Sequence, residues 1–264
     1  KVLASWNGLA LGAFAEAARV FDDDHYLGVA LTNASFVRQG MWREGRLFHT
    51  YKGGVAKVEG MIDDYAYYGL GLVELFRATG DLAHLDWARE MLEVLLRDFR
   101  DAGQGGFFET PAGGEALLLR QKSYFDEATP SGNGATALLA LWLARYFGRA
   151  EWEEVALEVI GQAQELMRQA PTGFGALWQA YEFLLAPRRE LAIVGPAAER
   201  RGFERVAGMS FLPWVAVASS GGGSGLPMFE GRASNGSARA YVCENMVCGL
   251  PANTPEELAR QLSE

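Results

Sequence analysis

The chain has 264 residues, 49% of them hydrophobic and 22% charged, which is the composition of a folded globular protein with a sizeable core. Its net charge of −9 at pH 7 argues against nucleic acid as a partner, because phosphate binding needs clustered Lys and Arg. No apolar run approaches the roughly 18 residues of a membrane span, and no signal-peptide core follows the first residues, so we expect a cytoplasmic protein without membrane contact.

Three helix pairs follow one another along the chain. Each pair has an apolar helix, rich in Ala, Gly and Leu, and then an amphipathic helix that begins after a short turn. The predicted apolar helices are 3–21, 62–79 and 131–147, and the predicted amphipathic helices are 24–40, 82–100 and 151–169. Each amphipathic helix opens on an aromatic residue or His, two variable residues, Val or Trp, and Ala. This repeat predicts an array of αα-hairpins in which outer helices wall the inner ones.

Two short extended segments interrupt the helices, each after an outer helix. Residues 45–51 lead to the turn Gly53-Gly54, and residues 106–110 lead to the turn Gly113-Gly114, with a return over 116–120. Aromatic and β-compatible residues around Gly turns predict β-hairpins. Because both segments occupy the same place in the repeat, we expect both hairpins on the face where the inner helices begin.

The composition changes after a last predicted helix, 174–185. Short strands are predicted at 189–194, 214–218 and 240–243, and a closing helix at 255–262. The prediction is therefore a mainly α chain with two parts. Residues 1–187 form an (α/α) toroid portion with short β-hairpins, and residues 188–264 form a small C-terminal α/β appendage.

Polar clusters begin the three inner helices, and parallel inner helices would bring these clusters to one mouth. Carboxylates move protons, while aromatic rings stack on sugars and amides and hydroxyls bind sugar hydroxyl groups. We therefore predict a sugar site at this mouth. The predicted catalytic residues are Asp63, Asp64, Asp126 and Glu127, and the predicted substrate-binding residues are Trp6, Asn7, His49, Tyr65, Ser131 and Asn133.

Structural roles are open for the same residues. Asp63 and Ser131 are ordinary N-cap residue types, and neighbouring side chains such as Asp63 and Asp64 cannot both face the mouth. The Asp126-Glu127 pair could be a solvated loop charge. The aromatic residues could belong to the core, and His49, on the first hairpin, could be structural.

The sequence predicts no metal site and no cofactor, because it has no HExxH or comparable ligand spacing. The two cysteines, Cys243 and Cys248, are separated by four residues. Redox motifs use two intervening residues and structural zinc needs four ligands, so we predict reduced thiols with a structural role.

Four motifs together resemble one family. They are residues 1–9 (KVLASWNGL), 63–66 (DDYA), 128–133 (ATPSGN) and the closing Cys-x4-Cys-x2-Pro. This combination is similar to the thioredoxin-domain-containing family that includes YyaL and spermatogenesis-associated protein 20. The resemblance implies a six-hairpin glycosidase-like toroid, similar to the N-acylglucosamine and cellobiose 2-epimerases, that follows a thioredoxin-like domain in the intact protein.

The resemblance also implies what is missing. A closed ring of six hairpins takes twelve helices, and seven are predicted before the appendage. The expected partners are therefore the chain's own N-terminal thioredoxin-like domain and the remaining half-ring. The epimerases rely on a pair of histidines, and His25, His49 and His84 do not match such a pair.

Two functional hypotheses follow. The first is a sugar epimerase- or glycosidase-like enzyme in which Asp63 or Asp64 and Asp126 or Glu127 act as acid and base. The second is a non-catalytic toroid that binds a carbohydrate or a protein and partners the thioredoxin-like domain. Two carboxyl groups about 5–10 Å apart in an open pocket would favour the enzyme.

Overall fold

The computed structural model describes residues 1–114, 119–222, 225–232 and 234–263. This part of the chain is mainly helical, as predicted. Its α-helices are α1 Ala4–Phe21, α2 Asp24–Gly40, α3 Ile62–Thr79, α4 Leu82–Val94, α5 Gly132–Phe147, α6 Ala150–Gln169, α7 Gly175–Leu185, α8 Ala197–Met209 and α9 Pro255–Ser263. A π-helix, Leu95–Phe99, continues α4. The three predicted helix pairs are α1/α2, α3/α4 and α5/α6.

Similar turn chemistry separates the helices of the first two pairs. Asp22 ends α1 in the left-handed region, and the Asp23 side chain accepts a hydrogen bond from the His25 backbone N–H at 2.7 Å. Gly80 ends α3 in the same left-handed conformation, and the Asp81 side chain accepts from Ala83 N–H at 3.0 Å. These aspartates satisfy N–H groups that a helix start leaves open, which fixes where each outer helix begins.

The inner helices α1 and α3 run parallel. At their N-terminal ends the Ser5 backbone N–H donates to the Asp64 carboxylate, and at their C-terminal ends Arg19 forms an ion pair with Glu74. The N-terminal ends of the two helices therefore lie together, and so do their C-terminal ends.

The same order continues across the inner layer. Gly69 of α3 contacts Leu139 of α5. Two turns further along both helices, the ring of Phe76 lies edge-on to that of Tyr146. The start of α7 packs on Gly134 of α5, so α7 is a fourth inner helix. The outer helices α2, α4 and α6 pack against α1, α3 and α5 respectively. The predicted arrangement of inner and outer helices is confirmed.

Helix α1 approaches α3 unusually closely. A Cβ on Gly8 would lie 2.5 Å from the Tyr68 backbone N, and a Cβ on Gly71 would lie 2.6 Å from the Gly8 carbonyl oxygen. The contact is backbone on backbone, so no side-chain rotation could make room there. Glycine at these two positions sets the spacing of the two helices.

The first predicted hairpin is present. Strands β1 Val2–Leu3, β2 Trp42–Arg43, β3 Arg46–Lys52 and β4 Val55–Glu59 form an antiparallel sheet. Strand β3 pairs with all the others, and the turn to β4 uses Gly53 and Gly54 at φ 58° and 82°. The hairpin therefore lies beside the start of α1, at the mouth of the inner layer.

The prediction of a second hairpin is wrong for the residues that the structure describes. The segment 106–110 contains only an isolated bridge, between Phe107 and Arg100, and the Glu109 N–H donates to the Gln121 carbonyl. The Asn133 amide bonds both backbone groups of Phe107 and so takes the place of a partner strand. Most of the predicted return strand, residues 116–118, lies outside the described residues.

The C-terminal segment forms a second sheet, of order β6-β5-β7-β8. Its strands are β5 Arg189–Val194, β6 Val215–Ser220, β7 Arg239–Glu244 and β8 Val247–Cys248. Strands β5 and β6 are parallel, and the unpredicted helix α8 connects them. Ala192 and Ala216 pack into the core of the inner helices, while Leu191 on the opposite face packs with α8 and α9. The boundary at residue 187 stays a prediction. None of the helices in the described part of the chain has the length and apolar character of a membrane span.

The prediction of reduced thiols is wrong. Cys243 on β7 and Cys248 on β8 are joined by a disulfide. Asn245 and Met246, both at positive φ, make a two-residue turn that places the cysteines directly opposite each other. Spacing rules for redox and zinc motifs do not detect this pairing, because it comes from the register of the hairpin.

A first prediction tests the close approach of α1 to α3. Gly8→Ala should lower the free energy of unfolding by at least about 2 kcal/mol, because its methyl group would overlap the Tyr68 backbone. Gly28→Ala on α2 is the matched control: no atom lies within 4 Å of its Cβ, so it should raise stability by about 0.5–1 kcal/mol. Urea denaturation measures both. A stable Gly8→Ala protein would contradict the close approach.

A second prediction concerns one face of α1. The apolar sequence of this helix predicts burial, but this face is exposed. Trp6 is 65% exposed, and Leu9 and Val20 are 39% and 42% exposed on the same helix. An exposed apolar face of this kind promotes association. Light scattering of residues 1–264 should therefore show concentration-dependent self-association that Trp6→Gln/Leu9→Gln reduces. Leu157→Gln, on the exposed face of α6, should leave it unchanged, and a stable monomer at high concentration would refute the expectation.

Candidate functional site

A depression of about 200 Å³ lies at the mouth where α3 and α5 begin. Its walls are the start of α3, residue 109, residues 123–130 and the start of α5. Three carboxyl groups line it, those of Asp63, Glu109 and Glu127. Three hydroxyl groups and one exposed ring also line it, from Ser123, Thr129, Ser131 and Phe125, and the remaining lining residues are Met61, Ile62, Pro130 and Gly132.

Asp63 is the part-buried carboxyl of this pocket. It lies so close to α5 that a Cβ on Gly132 would be 2.5 Å from its Oδ1. Within the described ranges its side chain makes no hydrogen bond or ion pair. Burial, together with the charges of Asp64 and Glu109, raises the pKa of Asp63 to about 6. A carboxyl that titrates near neutral pH can both donate and accept a proton.

Asp64 is turned away from the pocket. It is fully buried, and its carboxylate accepts hydrogen bonds from the backbone N–H groups of Ser5 and Met61, both at 2.9 Å. The Nδ1 atom of His49 lies 2.9 Å from Oδ2 of the same carboxylate. Asp64 therefore joins the starts of α1 and α3 to strand β3 and is not a surface carboxylate of the pocket.

His49 is bound to this buried carboxylate and is not among the residues that line the pocket. Its hydrogen bond to Asp64 raises the pKa of the imidazole above the ordinary value, against the lowering effect of burial. The charge of Asp63 raises the same pKa, and His49 in turn lowers the pKa of Asp63. The two groups thus interact electrostatically, and Nε2 of His49 has no hydrogen-bond partner among the described residues.

In the second acidic pair, Asp126 and Glu127, one carboxyl group is again held by backbone N–H groups and the other lines the pocket. Asp126 accepts from the backbone N–H groups of Ser131 at 2.7 Å and Ala176 at 2.8 Å, and so ties the loop to the starts of α5 and α7. Glu127, its neighbour, is exposed and lines the pocket. Ser131 caps α5 by accepting from the Gly134 N–H.

The other predicted binding residues do not line the pocket. Tyr65 is buried and its hydroxyl accepts from the Leu47 N–H, and Asn133 is buried against Phe107. These two side chains bond to the backbone of neighbouring segments and have a structural role.

The two candidates on α1 face elsewhere. The Asn7 amide donates to the Leu3 carbonyl and accepts from Asn33 of α2, so it points into the packing of α1 on α2. Trp6 is exposed and is not among the residues that line the pocket. Their place beside the polar cluster in the sequence does not bring them to the carboxyl groups.

Glu109 is the pocket carboxyl that sequence reasoning missed as a site residue. It was placed on a hairpin strand, whereas its carbonyl accepts from the Ile62 N–H and holds it beside the start of α3. The signal that could have identified it is its position after an outer helix, on the mouth side of the repeat. The described residues contain no group of three or more His, Cys, Asp or Glu side chains that could hold a metal ion.

A parallel inner layer walled by outer helices, with an acidic pocket at its mouth, defines an (α/α) toroid of the six-hairpin glycosidase-like class. Solved structures show the same fold. A family 76 glycoside hydrolase, a mannosidase from Bacteroides thetaiotaomicron, superposes with a TM-score of 0.50 at 15% identity over 61% of this chain and 43% of its own. Cellobiose 2-epimerase from Bacillus thermoamylovorans gives 0.51 at 15% identity over 60% and 43%.

Proteins of similar sequence confirm the resemblance drawn from the motifs. The chain is similar to spermatogenesis-associated protein 20, with 29% identity to the human protein over 282 residues and 28% to the rat protein over 284. The match covers 99% of this chain and 36% of the human protein, so the chain spans about a third of the length of these relatives. No protein-family model matches the chain.

A third prediction follows from the pKa of Asp63. Since the folded-state pKa is raised from 3.8 to about 6, the folded protein binds more protons than the unfolded chain between these values. The contribution of Asp63 to stability is therefore full below pH 4 and is lost as the pH rises through 6. Asp63→Asn removes this loss, so its stability relative to the parent should rise by about 1–2 kcal/mol between pH 4 and 7, after allowance for screening.

Chemical denaturation at a series of pH values measures this difference. Asp126→Asn is the control, because it weakens bonds to two helix starts and should destabilise the protein at pH 7. A flat difference between Asp63→Asn and the parent would show that Asp63 is not perturbed by burial.

Proposed function

We propose that the mouth pocket binds a sugar and that Asp63 moves a proton in an epimerase- or glycoside-hydrolase-like reaction. The observation that carries the proposal is a part-buried carboxyl, without a partner among the described residues, that faces two further carboxyl groups in one depression. General acids and bases work best with pKa values near the operating pH, and the pKa of about 6 for Asp63 meets that condition.

The partner carboxyl in this proposal is Glu109 or Glu127. Asp126 is held by two backbone N–H groups, whereas the described residues offer no hydrogen-bond partner to the side chains of Glu109 and Glu127. A second carboxyl would serve as base or nucleophile opposite the acid. The histidine pair of the epimerases has no counterpart among His25, His49 and His84, so proton abstraction would fall to these carboxyl groups.

The shape and lining of the pocket support a small sugar. Its volume of about 200 Å³ is below the roughly 300–1,000 Å³ of drug-sized ligand sites, which favours one sugar ring. Phe125 is 51% exposed and offers a ring face for stacking, and the Ser123 and Thr129 hydroxyls can bond sugar hydroxyl groups. The toroid likeness to a mannosidase and to a cellobiose epimerase supports a carbohydrate substrate by analogy of fold. A cytoplasmic location remains part of the proposal.

A second candidate is a non-catalytic toroid that binds a carbohydrate or a protein. The exposed apolar face of α1, with Trp6 and Leu9, favours it, because such a face is typical of a protein interface. In this version the remaining half-ring and the thioredoxin-like domain of the intact protein are the partners.

A fourth prediction separates the two. The full-length protein is incubated in D₂O with mannose, glucose, N-acetylglucosamine, cellobiose and mannobiose, and followed by NMR. An epimerase exchanges the C2 hydrogen of its substrate for deuterium, and a hydrolase releases new reducing ends. Asp63→Asn should lower kcat by about 100-fold or more with binding retained, because it removes the proton-transfer group.

Glu151→Gln, an exposed charge on α6 far from the pocket in the fold, is the matched control and should leave turnover unchanged. Glu109→Gln and Glu127→Gln identify the second carboxyl group. Full activity of Asp63→Asn would remove Asp63 from the mechanism. Binding of a sugar without turnover by any of the proteins would support the non-catalytic toroid.

A further inference from the structure

The Cys243–Cys248 disulfide lies against an arginine. Nη2 of Arg232 is 3.0 Å from the sulfur of Cys243 and 3.1 Å from the sulfur of Cys248. The arginine side chain is only 12% exposed and is held in place by the Met228 carbonyl and by Glu190 at 3.5 Å. A guanidinium held against both sulfurs interacts only weakly with a neutral disulfide. It has much to stabilise in a thiolate, to which it donates a charge-assisted hydrogen bond.

The two sulfurs differ in access. Cys243 is 2% exposed, because β7 lies between β5 and β8 in the sheet. Cys248 is exposed on β8, the two-residue edge strand. An attacking thiolate can therefore reach the sulfur of Cys248 and not that of Cys243.

The charges around the pair are few and mostly neutralised. Glu190 lies opposite Cys243 in the register of β5 and β7 and is paired with Arg232. Glu244, the next residue on β7, is paired with Arg189. Arg232 thus contacts both sulfurs, and removing it would leave Glu190, opposite Cys243 in the register, without this ion-pair partner.

We propose that Cys243 and Cys248 form a thiol–disulfide exchange site whose reaction partner is a dithiol. In the first step the partner's thiolate attacks the sulfur of Cys248, a mixed disulfide forms there, and Cys243 leaves as a thiolate against Arg232. In the second step the partner's other thiol, as thiolate, attacks its own sulfur in the mixed disulfide and releases Cys248. The disulfide of this chain gains two electrons and two protons, and the dithiol becomes a disulfide.

The site is independent of the sugar pocket and goes beyond the function proposed for it. Reduction would remove the covalent link between β7 and β8. The hairpin tip carries Met246 and Val247, which are 78% and 74% exposed. The exchange therefore controls an edge of the sheet that is accessible to other proteins.

The fifth prediction uses dithiothreitol as the dithiol and maleimide mass labelling as the readout. The air-oxidised full-length protein should show this pair unlabelled, and dithiothreitol should release two labelled thiols without loss of the folded circular dichroism spectrum. Arg232→Gln should slow this reduction on the order of tenfold, because the leaving thiolate loses a stabilising cation worth about one pKa unit or more. Arg189→Gln, which removes a nearby charge that does not contact sulfur, is the control and should react like the parent.

Single-cysteine variants test the order of the steps. In Cys243→Ser the remaining Cys248 should react rapidly with an aromatic disulfide reagent, and in Cys248→Ser the buried Cys243 should react at least about tenfold more slowly. Arg232→Lys, which keeps the charge, should restore much of the reduction rate if the variant with Gln is slow. Two free thiols in the air-oxidised protein, a disulfide that resists dithiothreitol while the chain is folded, or equal rates for Arg232→Gln and the parent would each overturn the proposal.

Discussion

The buried carboxylate of Asp64 is the interaction on which the mouth of the toroid depends. A charge removed from water is tolerated only when its hydrogen-bonding capacity is met, and Asp64 meets it with the Ser5 and Met61 N–H groups and the His49 ring. These donors come from α1, from the start of α3 and from β3. One side chain therefore fixes the relative positions of two inner helices and a hairpin, and loss of any donor would leave a buried charge partly unsatisfied.

The same constraint explains why each acidic pair is divided. Asp64 is satisfied inside, so its neighbour Asp63 is left at the pocket with a raised pKa. Asp126 is satisfied by two helix starts, so Glu127 is left exposed. Adjacent carboxyl groups in opposite environments are a common way for a protein to obtain groups of different acidity. In this fold the structural member of each pair positions the helix or loop that carries the other.

The two ends of the chain are joined through one core. The sheet of β5 and β6 packs Ala192 and Ala216 against the inner helices, and the Tyr146 hydroxyl of α5 donates to the Val217 carbonyl at 3.0 Å. The opposite face of the sheet has its own small core under α8 and α9. The cysteine hairpin lies at the edge of this sheet, away from the mouth, so the two proposed sites are separate parts of one framework.

The sequence by itself determined helices α1 to α7, their order and the end of the inner layer where the acidic pairs lie. Helical periodicity, Gly and Asp turn signals and the repeat are local properties, and they place α1 to α7 to within a few residues. The first hairpin followed from its Gly53-Gly54 turn for the same reason. Only the tertiary structure decided which carboxyl of each pair faces the pocket, that Asn133 replaces a strand beside Phe107, and that Cys243 meets Cys248. The division of the acidic pairs and the contact of Asn133 with Phe107 depend on groups from distant segments, such as the N–H of Ser5 for Asp64, whereas the cysteine pair depends on the register of its hairpin. Local patterns contain no information about a partner fifty residues away.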